Sequence, residues 1–330
     1  MNIYKVLNNQ FFNNENFSLV PIRFEDRYEI MNWRNEQIYH LRQSKILTQV
    51  EQDHYFENVV SKLFDELKPS QILFSFLEGD VCVGYGGLVH INWVDNNAEI
   101  SFVINTSKED SFIKYWQAYL NLIKIVAFKE LDLHKIFTFA FDVRPNLYVA
   151  LANCGFIQEC RLIDHSKVNE VYTDVLYHSF INPKHFFTCR RGELKDMSLL
   201  FDWVNDKEVR NNSLKKNVID WGEHQNWFRN KIEDDKCHIY IYLNKYNNPI
   251  GQLRIEYIEN EWVIDYSVDR NYRKLGLGNL LIKDVLGKYQ NETFKAFVRT
   301  ENIASIRVFQ NIGFKELFND SKIITFVTQT

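Results

Sequence analysis

Alternating apolar and polar positions in the second half of the chain predict a run of strands. In "EWVIDYSVD", Trp262, Ile264, Tyr266 and Val268 alternate with more polar residues, which is the two-residue period of a half-buried strand. The preceding segments "CHIYIYL" and "NPIGQLRIEYIE" predict a hairpin of two further strands. The three segments together predict an antiparallel meander.

A helical pattern follows the meander. Leu277, Leu280, Leu281 and Val285 recur at the spacing of one helix stripe, and this stripe begins at the glycine-containing stretch "RKLGLG". The strand "TFKAFVR", a second short helix and the strand "GFKEL" come next. This order predicts an α/β (α+β) fold, with a mixed, mostly antiparallel sheet flanked by helices.

The same organisation occurs twice in the chain. The stretches "IMNWRNEQIYHLRQ" and "LFDWVNDKEVRNNS" align on Trp33 and Trp203, and each is followed by a strand that carries a glycine, Gly84 or Gly251. Each copy ends in "NCGF" or "NIGF". A repeat of half the chain indicates duplication of a whole domain, because solenoid repeats are far shorter. We therefore expect two domains, residues 1–183 and 184–330.

Composition excludes several classes of partner. Hydrophobic residues make up 45% of the chain and charged residues 25%, as in ordinary globular proteins. The net charge of -4 gives no attraction to nucleic acid or anionic lipid, and no apolar run suggests a membrane span.

The start of the chain lacks a signal-like pattern, so we expect a cytoplasmic location. The five cysteines form no CxxC pair; we expect reduced thiols and no metal site.

The glycine-containing loop has the chemistry of an anion site. Main-chain N–H groups between a strand and a helix point into one concavity at the positive end of the helix dipole. Gly276 and Gly278 allow a ligand to approach the main chain, and Arg273 and Lys274 add positive charge. The P-loop pattern is absent, and Leu281 stands where a dinucleotide fingerprint needs its third glycine. A diphosphate fits this loop; a plain helix start with a glycine turn is the alternative.

The segments "NYRKLGLG" and "NIASIRVFQNIGF" together resemble the GNAT superfamily of acyl-CoA-dependent N-acyltransferases. They meet that family's RxxGxG and NxxSxxxFxxxGF patterns in the right order. The resemblance implies acyl-CoA as cosubstrate, with its diphosphate in the loop and its pantetheine between two splayed strands. For Asn302, a purely structural capping role is the alternative. The residues that the resemblance places at the cofactor are Tyr266, Val268, Arg273, Lys274, Leu275, Gly276, Leu277, Gly278, Asn279, Asn302, Ser305 and Phe309.

The resemblance also suggests a mechanism. Asp265 lies on the strand face opposite Ile264 and Tyr266, where family members often carry an acidic base or water-holding residue; a solvated strand residue is the alternative. A main-chain N–H between Tyr266 and Val268 would polarise the acyl carbonyl. Phe309 stands where many relatives have a tyrosine acid, so solvent or the substrate ammonium would protonate the thiolate. No activated serine or cysteine is recognisable, so we expect direct attack in a ternary complex.

The first domain departs from the family pattern. Its "TSKEDSFIKYW" is acidic and bulky where the glycine loop should be, and Arg144 and Leu147 take the positions of Asn302 and Ser305. Acidic residues would repel a diphosphate, so we expect a retained fold and a lost cofactor site. This domain would then form a wall of the acceptor cleft, although core or turn roles are the alternative for its candidates. These candidates are His90, Trp93 and Glu99.

The acceptor is suggested by a finer resemblance. "WVNDKEVRNNS" and "EHQNWF" resemble domains of bacterial nucleotide-sugar pathways, and the tandem resembles N-acyltransferases for dTDP-3-amino-3,6-dideoxyhexoses in surface polysaccharide (O-antigen) synthesis. This implies transfer of an acetyl or 3-hydroxybutanoyl group to a sugar amine, with Trp203, Asn205 and Arg210 at the acceptor. Helix packing and surface positions are the alternative for these three residues and for Trp227. A protein N-terminal acetyltransferase and a non-catalytic acyl-CoA-binding protein are the alternatives. The oligomeric state stays open, and a monomer is compatible with two such domains in one chain.

Overall fold

The computed structural model describes residues 2–328. The chain divides into two compact units, Met1–Asn182 and Pro183–Thr330. Each unit is built around one mixed sheet with helices packed against it. The α/β (α+β) fold class expected from the sequence is confirmed in both units.

The amino-terminal unit contains an eight-stranded sheet. Its strands are β1 (Phe12–Asn14), β2 (Phe17–Pro21), β3 (Ile72–Glu78), β4 (Val81–Asn92), β5 (Asn97–Ile104), β6 (Lys135–Phe141), β7 (Ile157–Val168) and β8 (Val171–Ile181). They lie in the order β1-β2-β3-β4-β5-β6-β8-β7. Neighbouring strands are antiparallel except for β5 and β6, which run parallel across the β5-α-β6 crossover.

Five α-helices pack on this sheet in the described part of the unit. They are α1 (Arg27–Glu36), α2 (Gln49–Tyr55), α3 (Ser61–Leu63), α4 (Phe112–Ile125) and α5 (Pro145–Asn153). Helix α2 begins with a capping box, in which Thr48 and Glu51 bond each other's main-chain N–H groups. The long helix α4 places apolar and aromatic side chains against β5; the ring of Tyr119 stacks on Phe102 at 3.8 Å.

The carboxy-terminal unit contains a seven-stranded sheet. Its strands are β9 (Thr188–Arg191), β10 (Cys237–Leu243), β11 (Pro249–Ile258), β12 (Glu261–Val268), β13 (Phe294–Arg299), β14 (Lys315–Asn319) and β15 (Ile323–Val327). They lie in the order β14-β15-β13-β12-β11-β10-β9. The meander expected from the sequence is confirmed as β10 to β12. The pattern did not predict β15, which lies between β13 and β14.

Helices cover both faces of this second sheet. They are α6 (Met197–Val204), α7 (Lys207–Asn212), α8 (Trp221–Glu233), α9 (Leu277–Lys288) and α10 (Ile303–Ile312). On one face, Phe228 of α8 packs in a buried cluster with Ile239 and Ile241 of β10. On the other face, the hydroxyl of Tyr242 donates to the main-chain oxygen of Leu281 on α9. Alternate residues of β10 therefore face α8 and α9.

Between residues 2 and 328, no helix has the length and apolar character needed to cross a membrane. In the same range, no three His, Cys, Asp or Glu side chains are grouped closely enough to hold a metal ion. All five cysteines are free thiols; Cys160 is exposed and Cys189 half-buried, whereas the others are buried.

Candidate active site

A gap opens between the two parallel strands of the carboxy-terminal unit. Strands β12 and β13 pair where Trp262 lies opposite Phe294 and Val263 opposite Lys295, and β12 then continues while paired to β11. The N–H of Trp262 donates to the main-chain oxygen of Thr293, on the β13 side. Because alternate residues direct their main-chain groups to the same side, an extended ligand could pair with β12 here. The main-chain groups that face this gap belong to Ile264, Tyr266 and Val268.

The loop after β12 turns sharply before α9. Asp269 starts it by accepting a hydrogen bond from the N–H two residues later. Lys274 and Gly276 both adopt left-handed conformations, with φ of 64° and 82°. Helix α9 then begins at Leu277 without a side-chain cap, so its first N–H groups are available to an anion. The buried Oδ1 of Asn279 has no hydrogen-bond partner among the described residues, as expected of a site that takes a ligand.

The loop is fixed to the protein interior by two leucines. The side chains of Leu275 and Leu277 are buried, with 1% and 2% of their surface exposed. Only their main-chain groups are therefore oriented for contact with a ligand, which is the kind of contact that the family resemblance implies.

Glycine is favoured at the two loop positions for different physical reasons. A Cβ at Gly276 would meet only a side-chain carbon of Lys184, at 3.4 Å, so the space beside it is open. A Cβ at Gly278 would lie 3.0 Å from the ring of Tyr266 and 3.3 Å from Val308. Close packing against Tyr266 and Val308 favours glycine at position 278, whereas Gly276 is favoured by its left-handed φ of 82° and leaves room for a ligand.

Arg273 holds the loop in place. Its Nε donates to the main-chain oxygen of Val268 at 3.1 Å, and its terminal nitrogens bond Asp206 at 2.8 Å and Glu208 at 2.9 Å. Burial raises the pKa of Asp206, but the hydrogen bond and charge of Arg273 outweigh it, so the net pKa is below its usual value. The positive charge that the sequence assigned to a ligand is thus shared with two carboxylates.

The residues predicted at the acceptor also support this loop and its neighbours. The indole N–H of Trp203 donates to the Asp269 carboxylate at 3.0 Å. Asn205 exchanges two hydrogen bonds with the main chain of Ile219, and Arg210 bonds main-chain oxygens of the segment 213–217. These contacts fit the packing role that the sequence offered as the alternative for the three residues. The acceptor contacts of these three residues stay a prediction.

Helix α10 brings a second set of polar groups to the gap. The side chain of Asn302 accepts a hydrogen bond from the N–H of Ser305 at 3.1 Å, so it does cap the helix. The Ser305 hydroxyl lies 3.0 Å from that of Tyr266, and Phe309 packs against the Tyr266 ring. Burial raises the pKa of Tyr266 to about 12. A neutral phenol therefore lies on β12, although α10 lacks the usual tyrosine.

On the opposite face of β12, Asp265 belongs to a group of polar side chains that we call the Asp265 cluster. The cluster consists of Asp265, Gln252, Arg254, Arg210 and Trp227. The Asp265 side chain is 59% exposed and lies 3.9 Å from a terminal nitrogen of Arg254, whose guanidinium lies over the Trp227 ring. Burial lowers the pKa of Arg210, and the charge of Asp265 acts in the opposite direction. In the described part of the chain, the buried Nε atoms of both arginines have no hydrogen-bond partner.

The amino-terminal unit keeps the gap and replaces the loop. Strands β5 and β6 pair in parallel from Asn97 to Glu99 and then separate, as β12 and β13 do. The turn that follows, Thr106–Ser111, contains Glu109 and Asp110 and leads directly into α4. No left-handed glycine is present in this turn. The fold is retained in this unit, and the loss of its cofactor site stays a prediction.

The three acceptor candidates of this unit lie near the end of β4 and the start of β5. The buried carboxylate of Glu99 bonds Arg42 and lies 2.9 Å from Nδ1 of His90. The indole N–H of Trp93 donates to the main-chain oxygen of Pro69 at 2.9 Å. Glu99 therefore belongs to a polar group with Arg42 and His90, and Trp93 anchors a turn. Their contact with an acceptor stays a prediction.

Comparison with protein families gives the same description for both units. Residues 19–177 match one model of an acetyltransferase (GNAT) domain. Residues 187–315 match a second model with that description. A comparison with curated proteins gave no match.

Solved structures of similar fold have low sequence identity to the chain. Spermidine N-acetyltransferase from Vibrio cholerae, in complex with CoA and spermine, shares 19% identity with a TM-score of 0.47, covering 52% of this chain and 99% of its own. A dodecameric structure of the Vibrio cholerae enzyme shares 19% at a TM-score of 0.44, covering 52% and 98%. A probable acetyltransferase shares 18% at 0.44, covering 53% and 98%. Likeness at this level gives no information on the acceptor.

Proposed function

The chain is an acyl-CoA-dependent N-acyltransferase of the GNAT superfamily with two tandem GNAT domains, and we propose that its carboxy-terminal unit acylates an amine on an acceptor that also carries negative charge. The acceptor class is a nucleotide-linked amino deoxy sugar, with dTDP-3-amino-3,6-dideoxyhexose as the expected member, for surface polysaccharide synthesis. The observation that carries this proposal is the Asp265 cluster, in which one exposed carboxylate accompanies two guanidiniums with unbonded Nε atoms.

The loop and the gap fit acyl-CoA. Gly276 and the uncapped first turn of α9 would hold the diphosphate, because their N–H groups and the helix dipole favour an anion. The main chain of β12 would pair with the extended pantetheine arm in the gap. The unpartnered Oδ1 of Asn279 accepts hydrogen bonds, so the amide groups of that arm are a chemical match.

The residues around the gap divide the chemistry between them. Acyl-CoA supplies an activated thioester. The main-chain N–H groups of Tyr266 and Val268 face the gap and can donate to the acyl oxygen as negative charge develops there. The Asp265 carboxylate accepts the proton of the attacking amine, directly or through one water. Protonation of the departing thiolate needs no protein acid, because a thiol of pKa about 8.5 costs only about 2 kcal/mol to ionise at neutral pH.

The charges of the Asp265 cluster favour an acceptor with phosphate groups. Arg210 and Arg254 would repel a polycation, whereas each can donate a charge-assisted hydrogen bond to a phosphate oxygen. Asp265 provides the single negative charge that an ammonium group needs. A nucleotide-linked amino sugar carries both kinds of group, an amine at one end and a diphosphate at the other.

The test is an activity assay with matched acceptors. The protein is incubated with acetyl-CoA or 3-hydroxybutanoyl-CoA and one of four acceptors, and thiol release is followed together with mass spectrometry of the acceptor. The acceptors are dTDP-3-amino-3,6-dideoxyhexose, the free amino sugar, spermidine and an unacetylated peptide. We expect acylation of the nucleotide sugar with the highest kcat/KM.

Two variants separate the roles within the cluster. Asp265→Asn should lower kcat by about a hundredfold with an unchanged KM for acyl-CoA, because it removes a general base that does not contact the cofactor. Arg254→Gln should raise KM for the nucleotide sugar by about tenfold and leave the free amino sugar unaffected. Asp202→Asn, an exposed change on α6, is the matched control.

Three results would contradict the proposal. Preference for spermidine, with faster turnover in Arg254→Gln, would show that the acceptor is a polycation. Preference for the peptide would favour a protein acetyltransferase. An acyl group trapped on the protein after quenching would exclude direct attack.

A further inference from the structure

Three side chains of the amino-terminal unit form a compact group that we call the Arg144 cluster. It consists of Arg144 at the start of α5, Trp116 on α4 and His40 in the turn after α1. A terminal nitrogen of Arg144 lies 3.4 Å from Nε2 of His40, and its guanidinium carbon lies 5.7 Å from the centre of the Trp116 ring. Arg144 occupies the N-cap position of α5, as Asn302 does on α10, but its side chain makes no capping hydrogen bond.

The cluster contains buried polar atoms without partners. Within residues 2–328, Nε1 of Trp116, Nε of Arg144 and Nδ1 of His40 have no hydrogen-bond partner. Trp116 is only 3% exposed and His40 only 7%. The N–H groups of Trp116 and of Arg144 Nε can only donate, and buried donors are paired in the great majority of native structures. The missing partner is therefore a hydrogen-bond acceptor.

The charge of the cluster shows what kind of acceptor is missing. Burial lowers the pKa of Arg144 to about 10, so its guanidinium is still charged at neutral pH. Burial and the charge of Arg144 lower the pKa of His40 to about 3, so this imidazole is neutral. Glu109, Tyr39 and Tyr148 interact with Arg144 electrostatically, but none of them is hydrogen bonded to its Nε. A buried cation in this state favours an anion as its partner.

We propose that the Arg144 cluster is a binding site for a small oxyanion, a carboxylate or a phosphate, separate from the acyl-CoA loop. An oxyanion that accepts two hydrogen bonds of about 2.9 Å each can bridge the Arg144 guanidinium and the Trp116 indole. The ligand accepts from Trp116 Nε1 and Arg144 Nε, and its negative charge compensates the buried guanidinium. The unit that lacks the glycine loop thus keeps a ligand site of its own.

The test uses the full chain labelled with ¹⁵N in its tryptophan indoles. The Trp116 resonance is identified as the one missing from Trp116→Phe, since the chain has seven tryptophans. Sodium acetate and sodium phosphate are titrated separately at neutral pH, with sodium chloride keeping the ionic strength constant. We expect a saturable shift of the Trp116 indole resonance with at least one of the two oxyanions and none with chloride.

Variants make the assignment specific. Arg144→Gln should weaken the oxyanion affinity by about tenfold or more, because it removes a charge-assisted hydrogen bond. Arg27→Gln removes a guanidinium that is already bound to Asp53, so it should leave the affinity unchanged. If Arg144→Gln perturbs the resonances of the other indoles, Trp116→Phe is used in its place. The measured quantity is then the rise in Tm that the oxyanion produces. That rise should be reduced in Trp116→Phe.

The outcomes separate the possible ligands. A response to acetate alone identifies a carboxylate site, and a response to phosphate alone identifies a phosphate site. The absence of a saturable shift with either oxyanion would overturn the proposal. An equal affinity in Arg144→Gln would do so as well, because the anion would then bind elsewhere.

Discussion

The two units of the chain share the strand geometry around the gap but differ in the turn that follows it. In the amino-terminal unit, Gly84 on β4 lies opposite Ile104 at the end of β5; in the carboxy-terminal unit, Gly251 on β11 lies opposite Val268 at the end of β12. In the amino-terminal unit β6 pairs only with the start of β5 and then diverges. In the carboxy-terminal unit β13 does the same with β12. The sheet and its gap therefore form whether or not a cofactor loop follows.

The difference begins with the next turn. Asn105 and Asp269 both cap a short helical turn with their side chains. The carboxy-terminal chain then passes through a left-handed Gly276 into the uncapped start of α9. The amino-terminal chain instead carries Glu109 and Asp110 in its turn, where they would repel a diphosphate. We therefore expect these few loop positions to decide whether the shared fold holds acyl-CoA.

The packing of the helix that follows the turn also differs between the units. Trp116 and Tyr119 of α4 pack their rings against Phe102 of β5, and such aromatic pairs contribute about 0.5–1.5 kcal/mol beyond their buried area. In the carboxy-terminal unit, Gly278 of α9 lies against Tyr266 of β12, the strand position that matches Phe102. Rings of α4 thus oppose this strand position in one unit, whereas in the other Gly278 of α9 opposes it and Phe309 of α10 packs against the Tyr266 ring.

The largest effect is expected from charge at the loop that only one unit has. Gly276→Asp and Gly276→Asn impose the same left-handed strain, which both residue types tolerate, and they differ only in charge. We expect Gly276→Asp to weaken acyl-CoA binding by about a hundredfold, and Gly276→Asn by less than about tenfold. Isothermal titration measures both affinities and the stoichiometry, expected to be one acyl-CoA per chain.

Gly287→Asp, in open space on α9, is the control for added charge. Equal acyl-CoA affinities for Gly276→Asp and Gly276→Asn would show that the diphosphate does not bind at this loop. A second acyl-CoA per chain would show that the amino-terminal unit also binds the cofactor and would end the distinction between the units.

An intermediate effect is expected from the contact between Arg273 and Asp206. If Arg273 acts by holding the loop, Arg273→Gln and Asp206→Asn should each weaken acyl-CoA binding by about tenfold, since either change breaks the same ion pair. The double variant should then be no weaker than either single one. Tighter binding in Asp206→Asn would show instead that Arg273 contacts the ligand directly.

The smallest effect is expected from making the two units alike at one strand position. Tyr266→Phe introduces the residue type found at Phe102 and removes the hydrogen bond to Ser305. The free energy of unfolding should fall by about 1 kcal/mol, measured by urea denaturation, with kcat changed by less than about threefold. Ser305→Ala is the partner variant. A hundredfold loss of kcat in Tyr266→Phe alone would identify Tyr266 as the proton donor to the thiolate.

The sequence by itself determined the repeated fold and the position of the glycine-containing loop that we expect to bind acyl-CoA. Periodic apolar residues predicted the meander and α9, because burial of one strand face or one helix stripe follows local spacing. The loop could be found because Gly276 and the basic residues around it are adjacent in the chain. The loss of the loop in the amino-terminal unit could be predicted for the same reason, from Glu109 and Asp110.

Only the tertiary structure decided which partners the polar side chains have. Arg273 is bound by Asp206, and Gly278 packs closely against Tyr266, although neither partner is close in sequence. The unpartnered donors of the Arg144 cluster come from three separate elements. A spacing pattern fixes which face of an element a residue occupies, but contacts between elements depend on how the sheet and its helices pack. The sequence therefore locates the glycine-containing loop, and packing determines which contacts each of its residues makes.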